Sequence, residues 1–340
     1  MTTLITGAAG FIGFNLCKRI LEDGQPLVGL DNLNSYYDPN LKISRIRELE
    51  KISRKTGSKF KFIKGDLHNN DEIKNIFSIS SPTKVVNLAA QAGVRYSIDN
   101  PKAYIDTNLV GFANILEACR HNNIEHLVYA SSSSVYGGNT NMPFSEKKSV
   151  DHPVSLYAAT KKANELMAHA YSHLYQIPCT GLRFFTVYGP WGRPDMALFL
   201  FTQSILKKEP IKVFNKGLMV RDFTFIDDVV ESLVRVLNKP ATPKKDFNTY
   251  DPDPSSSWAP HKVFNIGNST PTPLIDYIEA IEDELGMKAK RVLLPMQQGD
   301  VAATESDSSE LEKWINFKPN TPIKEGVKKF IQWYKDFYDI

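Results

Sequence analysis

The first 31 residues constrain this chain more than any other stretch. Residues 2–6 (TTLIT) are short, apolar and β-branched enough for a buried strand. They run straight into Gly7-Ala8-Ala9-Gly10-Phe11-Ile12-Gly13. Residues 11–21 then carry apolar side chains at helical spacing, residues 26–30 form a second apolar run, and Asp31 stands at its end. Each part has a mechanical purpose. Glycines allow a tight turn and a close backbone approach to a pyrophosphate, whose charge then sits among unpaired N–H groups at a helix N-terminus. An acid roughly 20 residues further on accepts hydrogen bonds from a ribose and repels a 2′-phosphate, which favours NAD over NADP. A glycine triplet alone is weak evidence for a ligand. Strand, glycines, helix, second strand and acid in this order predict dinucleotide binding.

The same rhythm continues. Strand-like runs at residues 59–64, 84–88, 126–130 and 178–182 alternate with helical stretches near 41–54, 71–78, 103–121 and 155–175. Such alternation implies right-handed crossovers and an α/β fold, a doubly wound parallel sheet covered on both faces. After Arg183 the rhythm changes. Helical segments near 196–206, 227–237, 272–285 and 323–337 stand between Pro-rich and polar loops, and residues 239–261 read as a surface excursion. The expectation is a dinucleotide-binding domain at residues 1–183, to which segments near 221–238 and 262–267 return. Residues 184–340 then form a smaller carboxy-terminal substrate-binding lobe. A cleft between the two, beyond the strand ends, is the expected ligand site.

Composition excludes several classes. A chain of 340 residues can bury a large core, and a net charge of +3 gives no case for nucleic acid or a membrane surface. Basic residues crowd Lys42 to Lys61, but acids interrupt them, and the run reads as a solvated helix face. Cys17, Cys119 and Cys179 are far apart, odd in number and set among apolar residues, as buried thiols of a reducing compartment would be. His169 and His173 have H-x-x-x-H spacing but lack the glutamate and the third ligand of a zinc site, so no metal is expected. The first strand begins at Thr2, which leaves no room for a signal peptide, and no apolar run is long enough to span a bilayer. A cytoplasmic protein is the expectation.

The chemistry gathers around Tyr157-Ala-Ala-Thr-Lys161, in a helical stretch where a spacing of four puts both side chains on one face. A free tyrosine titrates near 10, too high for a base at neutral pH, and a nearby ammonium with a positive nicotinamide ring would lower that value. Alone, the pair could be a surface tyrosine and a solvated lysine. Upstream, Leu127-Val-Tyr-Ala-Ser131-Ser132-Ser133-Ser134-Val-Tyr136-Gly137 ends a strand in hydroxyls at the sheet's carboxyl edge, where a ligand would lie.

Taken together, T-G-A-A-G-F-I-G, Asp31, Gly65-Asp66-Leu67, Asn87-Leu88-Ala89-Ala90, Asn108, the serine run ending in V-Y-G, and Tyr157 with Lys161 resemble the extended short-chain dehydrogenase/reductase family. The G-x-x-G-x-x-G spacing is that family's form, and the likeness covers nearly the whole chain. Within the family, Asn32-Leu-Asn-Ser-Tyr-Tyr-Asp38, Gln91-Ala-Gly-Val-Arg95, residues 185–196 and residues 221–228 look like the UDP-glucuronate 4-epimerases.

That resemblance implies a Rossmann domain holding NAD through Gly7, Gly10, Phe11, Ile12, Gly13, Asp31, Asn32, Ala89 and Asn108, with Asp66 and Leu67 flanking the adenine. It implies that Ser132 hydrogen-bonds the sugar's 4-hydroxyl while Tyr157 removes its proton and a hydride passes to NAD, with Lys161 holding the nicotinamide ribose. The 4-keto sugar then swings over and takes the hydride back on its other face. Gln91 and Arg95 would contact the UDP-sugar substrate, Arg221 its diphosphate and Asp300 its uridine end. Family members are commonly dimers, joined here by helices 103–121 and 155–175. The related 4,6-dehydratases carry Asp-Glu after the assisting hydroxyl and the decarboxylases a glutamate, whereas this chain has Ser133-Ser134.

A uronate poses a physical problem. Oxidised at carbon 4 it becomes a β-keto acid, which loses carbon dioxide when the breaking bond stands parallel to the ketone's π orbitals. Arg193 offers a planar bidentate fork and Thr186 a hydroxyl that would hold the carboxylate away from that orientation. The plainer alternative is that Arg193 pairs with Asp195. The rival activities are UDP-glucose 4-epimerase and UDP-glucuronate decarboxylase, and the rival class is an NAD-binding sensor or scaffold without turnover.

Overall fold

The computed structural model describes residues 2–340. Seven strands form one sheet in the order Phe60–Lys64, Leu27–Asp31, Thr3–Thr6, Lys84–Asn87, His126–Ser132, Cys179–Phe184 and His261–Ile266. Every pairing in it is parallel. This is the doubly wound sheet that the alternation implied. Successive residues on its central strands face opposite sides and enter different cores. Leu4, Val85 and Leu127 join one cluster, while Ile5, Val86 and Val128 join the other. Both faces are therefore dry, which is why these runs read as continuously apolar. The edge strand Phe60–Lys64 is only half-buried and alternates with lysines, as an edge exposed to water requires.

Strand order reverses between Thr3–Thr6 and Lys84–Asn87, the position where open α/β sheets gape at their carboxyl ends. Thr6 fastens the two strands there. Its Oγ1 donates to Asn87 Oδ1 at 2.6 Å and accepts from the Ala89 amide at 3.1 Å.

Beyond Phe184 the expected succession of helices and loops also contains strands too short to show a period. Thr186–Tyr188, Val220–Phe225 and Pro271–Pro273 form one small sheet, and Ile211–Val213 pairs with Arg291–Leu293. Strand Val220–Phe225 thus belongs to the small sheet, whereas helix Ile226–Leu237 packs back on helix Phe11–Glu22, with Glu231 accepting from Arg19 at 2.8 Å. Asp222, fully buried, knits this lobe by accepting from the amides of Asn268, Ser269 and Ser306 and from the Ser306 hydroxyl.

Three readings change. The stretch 103–121 is not one helix: Pro101–Tyr104 runs into a π-helical turn at Ile105–Val110 and then helix Gly111–His121. The basic run is not wholly solvated, because Lys42 and Arg45 on helix Pro39–Thr56 point inward and are buried. The excursion 239–261 turns inward at its end, where Ser255, Ser257, Ala259 and His261 are buried. His169 and His173 are occupied by that same stretch, through Ser257 and Trp258. The three cysteines are free and buried, and burial pushes their thiols up.

Candidate active site

The glycine loop is shaped by contacts that a side chain would break. Gly7 has φ +73, and a Cβ there would meet the Ala89 amide nitrogen at 2.8 Å. A Cβ on Gly13 would sit 2.0 Å from the Gly7 carbonyl oxygen. Helix Phe11–Glu22 starts at Gly10 with no side-chain cap and no acid in its first turn, so its leading amides stay available to an anion. Asp31 is fixed at the end of its strand by the amides of Ala9 (3.1 Å) and Leu33 (2.8 Å). The remaining lone pairs of its carboxylate suit a ribose hydroxyl. Asn32 donates to Asp66 at 2.8 Å. Against the upward push of burial, Asn32 and His68 hold the Asp66 carboxyl below its usual range.

A continuous cleft of about 660 Å³ runs from this loop across the carboxyl ends of the strands into the smaller lobe. Gly7, Gly10, Phe11, Ile12, Gly13, Asp31, Asn32, Asp66, Leu67 and Ala89 line its first end. Ser132, Tyr157, Lys161, Gln91, Arg95, Thr186, Arg193, Arg221 and Asp300 line the same cleft. Asn108 is the exception. It lies on the π-helical turn, buried and outside the cleft wall. Its Oδ1 accepts from the Gln91 amide at 2.8 Å, and its Nδ2 donates to the Gln91 carbonyl (3.0 Å) and to Thr160 (3.1 Å). Its hydrogen bonds brace the loop that carries Gln91.

Helix Leu156–Tyr175, capped by the Ser155 hydroxyl, presents Tyr157, Lys161 and Glu165 on one face toward the end of strand His126–Ser132. Lys161 Nζ donates to the Ala130 carbonyl at 2.9 Å, and burial lowers its pKa to about 8. Burial also pushes the Tyr157 phenol up, while the Ser132 hydroxyl and the Arg193 guanidinium pull it down without cancelling that rise. The downward pull therefore comes from Ser132 and Arg193, where sequence reading expected it from Lys161. Ser132 is itself fixed, accepting from the Ser134 amide at 3.1 Å.

Behind this face lies a pair that sequence reading missed. Glu165 and Arg183 are both buried and joined through two hydrogen bonds, Nε to Oε1 at 2.8 Å and Nη2 to Oε2 at 2.9 Å. Ser131 donates to the same carboxylate at 2.7 Å, which anchors the strand end next to Ser132.

The cleft lining holds two ion pairs. Arg221 Nη2 donates to Asp300 Oδ1 at 2.8 Å, so two residues assigned separately to the substrate form one unit. Arg193 meets Asp195 through Nε (3.0 Å) and Nη2 (2.5 Å). The plainer alternative for Arg193 thus occurs, but inside the cleft rather than on an outer loop. Lys212, on strand Ile211–Val213, and Phe214, on the turn that follows it, also line the cleft and were missed, since no spacing pattern marks them.

The glycine loop, the uncapped helix N-terminus and Asp31 fit a dinucleotide, and the hydroxyl–phenol–ammonium set beside them fits reversible oxidation of an alcohol. A model of the NAD dependent epimerase/dehydratase family matches residues 3–250, and the chain belongs to that family. It is 54% identical over 338 residues to Protein CapI of Staphylococcus aureus, with 99% of each chain covered. It is 46% identical over 342 residues to the probable UDP-glucuronate 4-epimerase of Rhizobium meliloti (strain 1021), covering 99% of this chain and 98% of that protein. The crystal structure of UDP-glucuronic acid 4-epimerase from Bacillus cereus, in complex with UDP-glucuronic acid and NAD, has a TM-score of 0.85 to this chain. The two are 31% identical, with 99% of this chain and all of that one covered.

Proposed function

We propose that this chain is an NAD-dependent 4-epimerase that interconverts UDP-glucuronate and UDP-galacturonate through a transient 4-keto sugar. The observation that carries the reading is one cleft lined by Ser132, Tyr157 and Lys161, by the glycine loop, and by Arg193 and Thr186. Bound NAD supplies the acceptor and donor of the hydride at carbon 4. The rest falls to the chain. Ser132 orients the sugar's 4-hydroxyl, and Tyr157 takes up its proton and later returns it. Lys161, still largely an ammonium at neutral pH, holds the nicotinamide ribose, while Ser132 and Arg193 supply the downward pull on the phenol. Arg193 and Thr186 hold the sugar carboxylate out of line with the ketone and so suppress decarboxylation. Ser133 and Ser134 supply no acid for elimination.

A second reading, UDP-glucose 4-epimerase, is favoured by one fact: the Arg193 charge is already matched by Asp195. Incubating the purified protein with each sugar nucleotide, without added NAD, separates them. The proposal expects UDP-galacturonate as product and kcat/KM for UDP-glucose lower by at least about 100-fold. UDP-galactose formed as readily as UDP-galacturonate overturns it.

We further infer a homodimer joined through helices Gly111–His121 and Leu156–Tyr175. Val110, just ahead of the first, and Leu166 and Leu174 on the second are exposed apolar side chains. Among the described residues no helix is long and apolar enough to cross a membrane, and the proposal places the enzyme in the cytoplasm.

A further inference from the structure

The Arg193 guanidinium has more donors than Asp195 can use. Nε and one Nη2 hydrogen go to the two carboxylate oxygens. Nη1 has no protein partner among the described residues, and with the second Nη2 hydrogen it forms another two-pronged edge on a side chain that lines the cleft. A guanidinium held by one edge has a fixed plane. What holds Arg193 is itself held. Tyr36 donates its hydroxyl to Asp195 Oδ2 at 3.1 Å, and its ring lies 5.8 Å from the guanidinium carbon. Burial and the Asp195 charge push the Tyr36 phenol up to about 12, so it remains a donor at neutral pH.

The space for that hydroxyl is built into the backbone. A Cβ on Gly93, which has φ +100, would stand 2.6 Å from the Tyr36 oxygen. Buried Arg45 then ties the two chain segments together. It donates to the Tyr37 hydroxyl (2.7 Å) and to the carbonyls of Ala9 (2.7 Å), Trp191 (2.6 Å) and Gly192 (3.2 Å). One residue thus grips the glycine loop, the Tyr36 segment and the loop that carries Arg193.

We infer that Asp195 and Tyr36 are positioning residues: they fix the plane of the Arg193 guanidinium so that its free edge receives the sugar carboxylate in the orientation that forbids decarboxylation. The inference rests on the proposed uronate reading and deepens it. Asp195 also leaves a neutral pair in place of a bare cation, so binding energy comes from geometry more than from net charge. Freed of Asp195, Arg193 still attracts the carboxylate but no longer fixes its angle. The 4-keto uronate then reaches alignments in which the bond between carbons 5 and 6 breaks. Its electron pair forms an enolate between carbons 4 and 5, carbon dioxide leaves, and carbon 5 takes a proton from water. Return of the hydride already taken from carbon 4, with the proton held by Tyr157 going back to the 4-oxygen, gives a UDP-pentose.

The experiment measures KM, kcat and the ratio of UDP-pentose to UDP-galacturonate for the holoenzyme and for Asp195→Asn, Tyr36→Phe and Arg193→Ala. For Asp195→Asn the pentose share rises by at least about 10-fold and kcat for epimerisation falls, while KM for UDP-glucuronate stays within about 3-fold. Tyr36→Phe, which leaves the ion pair in place, moves the share the same way by a smaller factor and serves if Asp195→Asn does not fold. An unchanged pentose share in both variants overturns the inference. The parent reading fails separately, if Arg193→Ala keeps the wild-type preference for UDP-glucuronate over UDP-glucose.

Discussion

Asp31 accepts from the amides of Ala9 and Leu33, and those contacts hold its charge at the point where a ribose would lie. A 2′-phosphate placed there would meet like charge at a few ångströms, a repulsion of order 1–4 kcal/mol between water-like and protein-surface dielectrics. Asp31→Asn keeps the shape and removes the charge. Competition between NAD and NADP for the refolded apoprotein should show discrimination against NADP reduced by about 10-fold or more. At this scale the sequence was legible wherever a residue's contacts belong to a recognisable spacing pattern. Gly7, Gly13 and Asp31 have their partners within the first strand–helix–strand unit or at the strand beside it. Asn108 and the Arg221–Asp300 pair were not legible in the same way, because no spacing pattern marks which residues they meet and only the fold brings those partners together.

Helix Leu156–Tyr175 shows what an element adds to its residues. A spacing of four gave Tyr157 and Lys161 a common face, and the next position on that face, Glu165, anchors the strand beneath them. Burial opposes ionisation of Glu165. Arg183, through its charge and its hydrogen bonds, overrides that and holds the carboxyl below its usual range. Removing one member of such a pair strands a buried charge, at a cost of about 3–5 kcal/mol. Glu165→Gln is therefore expected to lower Tm by several degrees and to reduce kcat through loss of order at Ser131 and Ser132. A thermal melt run alongside the assay checks both. Periodicity revealed the helix but not the anchor, since the Arg183 side of the pair lies in a strand whose apolar neighbours conceal it. It was equally blind to the three-residue strands of the smaller lobe and to the π-helical turn, which breaks the helical period for a single turn.

For the molecule as a whole, burial of titratable groups sets the response to pH. Burial lowers His261 to about 3 and His126 to about 4, from 6.5 when exposed. Between those limits the unfolded chain binds more protons than the folded one, so their stabilisation is complete above pH 6.5 and declines as pH falls. Glu146 has the opposite sign. Buried, with Oε1 unpartnered, it is pushed up to about 7 from 4.5, so its folded state gains as pH falls through that range. Two histidines outweigh one carboxyl. Tm should fall between pH 7 and pH 5, and Glu146→Gln should steepen the fall; a slope unchanged by the substitution would contradict this assignment. The doubly wound sheet was readable from alternation alone. The return of strand His261–Ile266 and helix Ile226–Leu237 was expected from the sequence as well, whereas the small sheet that takes strand Val220–Phe225 was not, because its partner strands are only three residues long.

The proposed chemistry turns on one phenol, Tyr157, at the carboxyl edge of the sheet. The direct measurement is the rate at which Tyr157→Phe interconverts UDP-glucuronate and UDP-galacturonate, with bound NAD quantified in the same preparation. The rate should lie at least about 100-fold below wild type, with NAD still held. An unchanged rate would contradict the proposed chemistry.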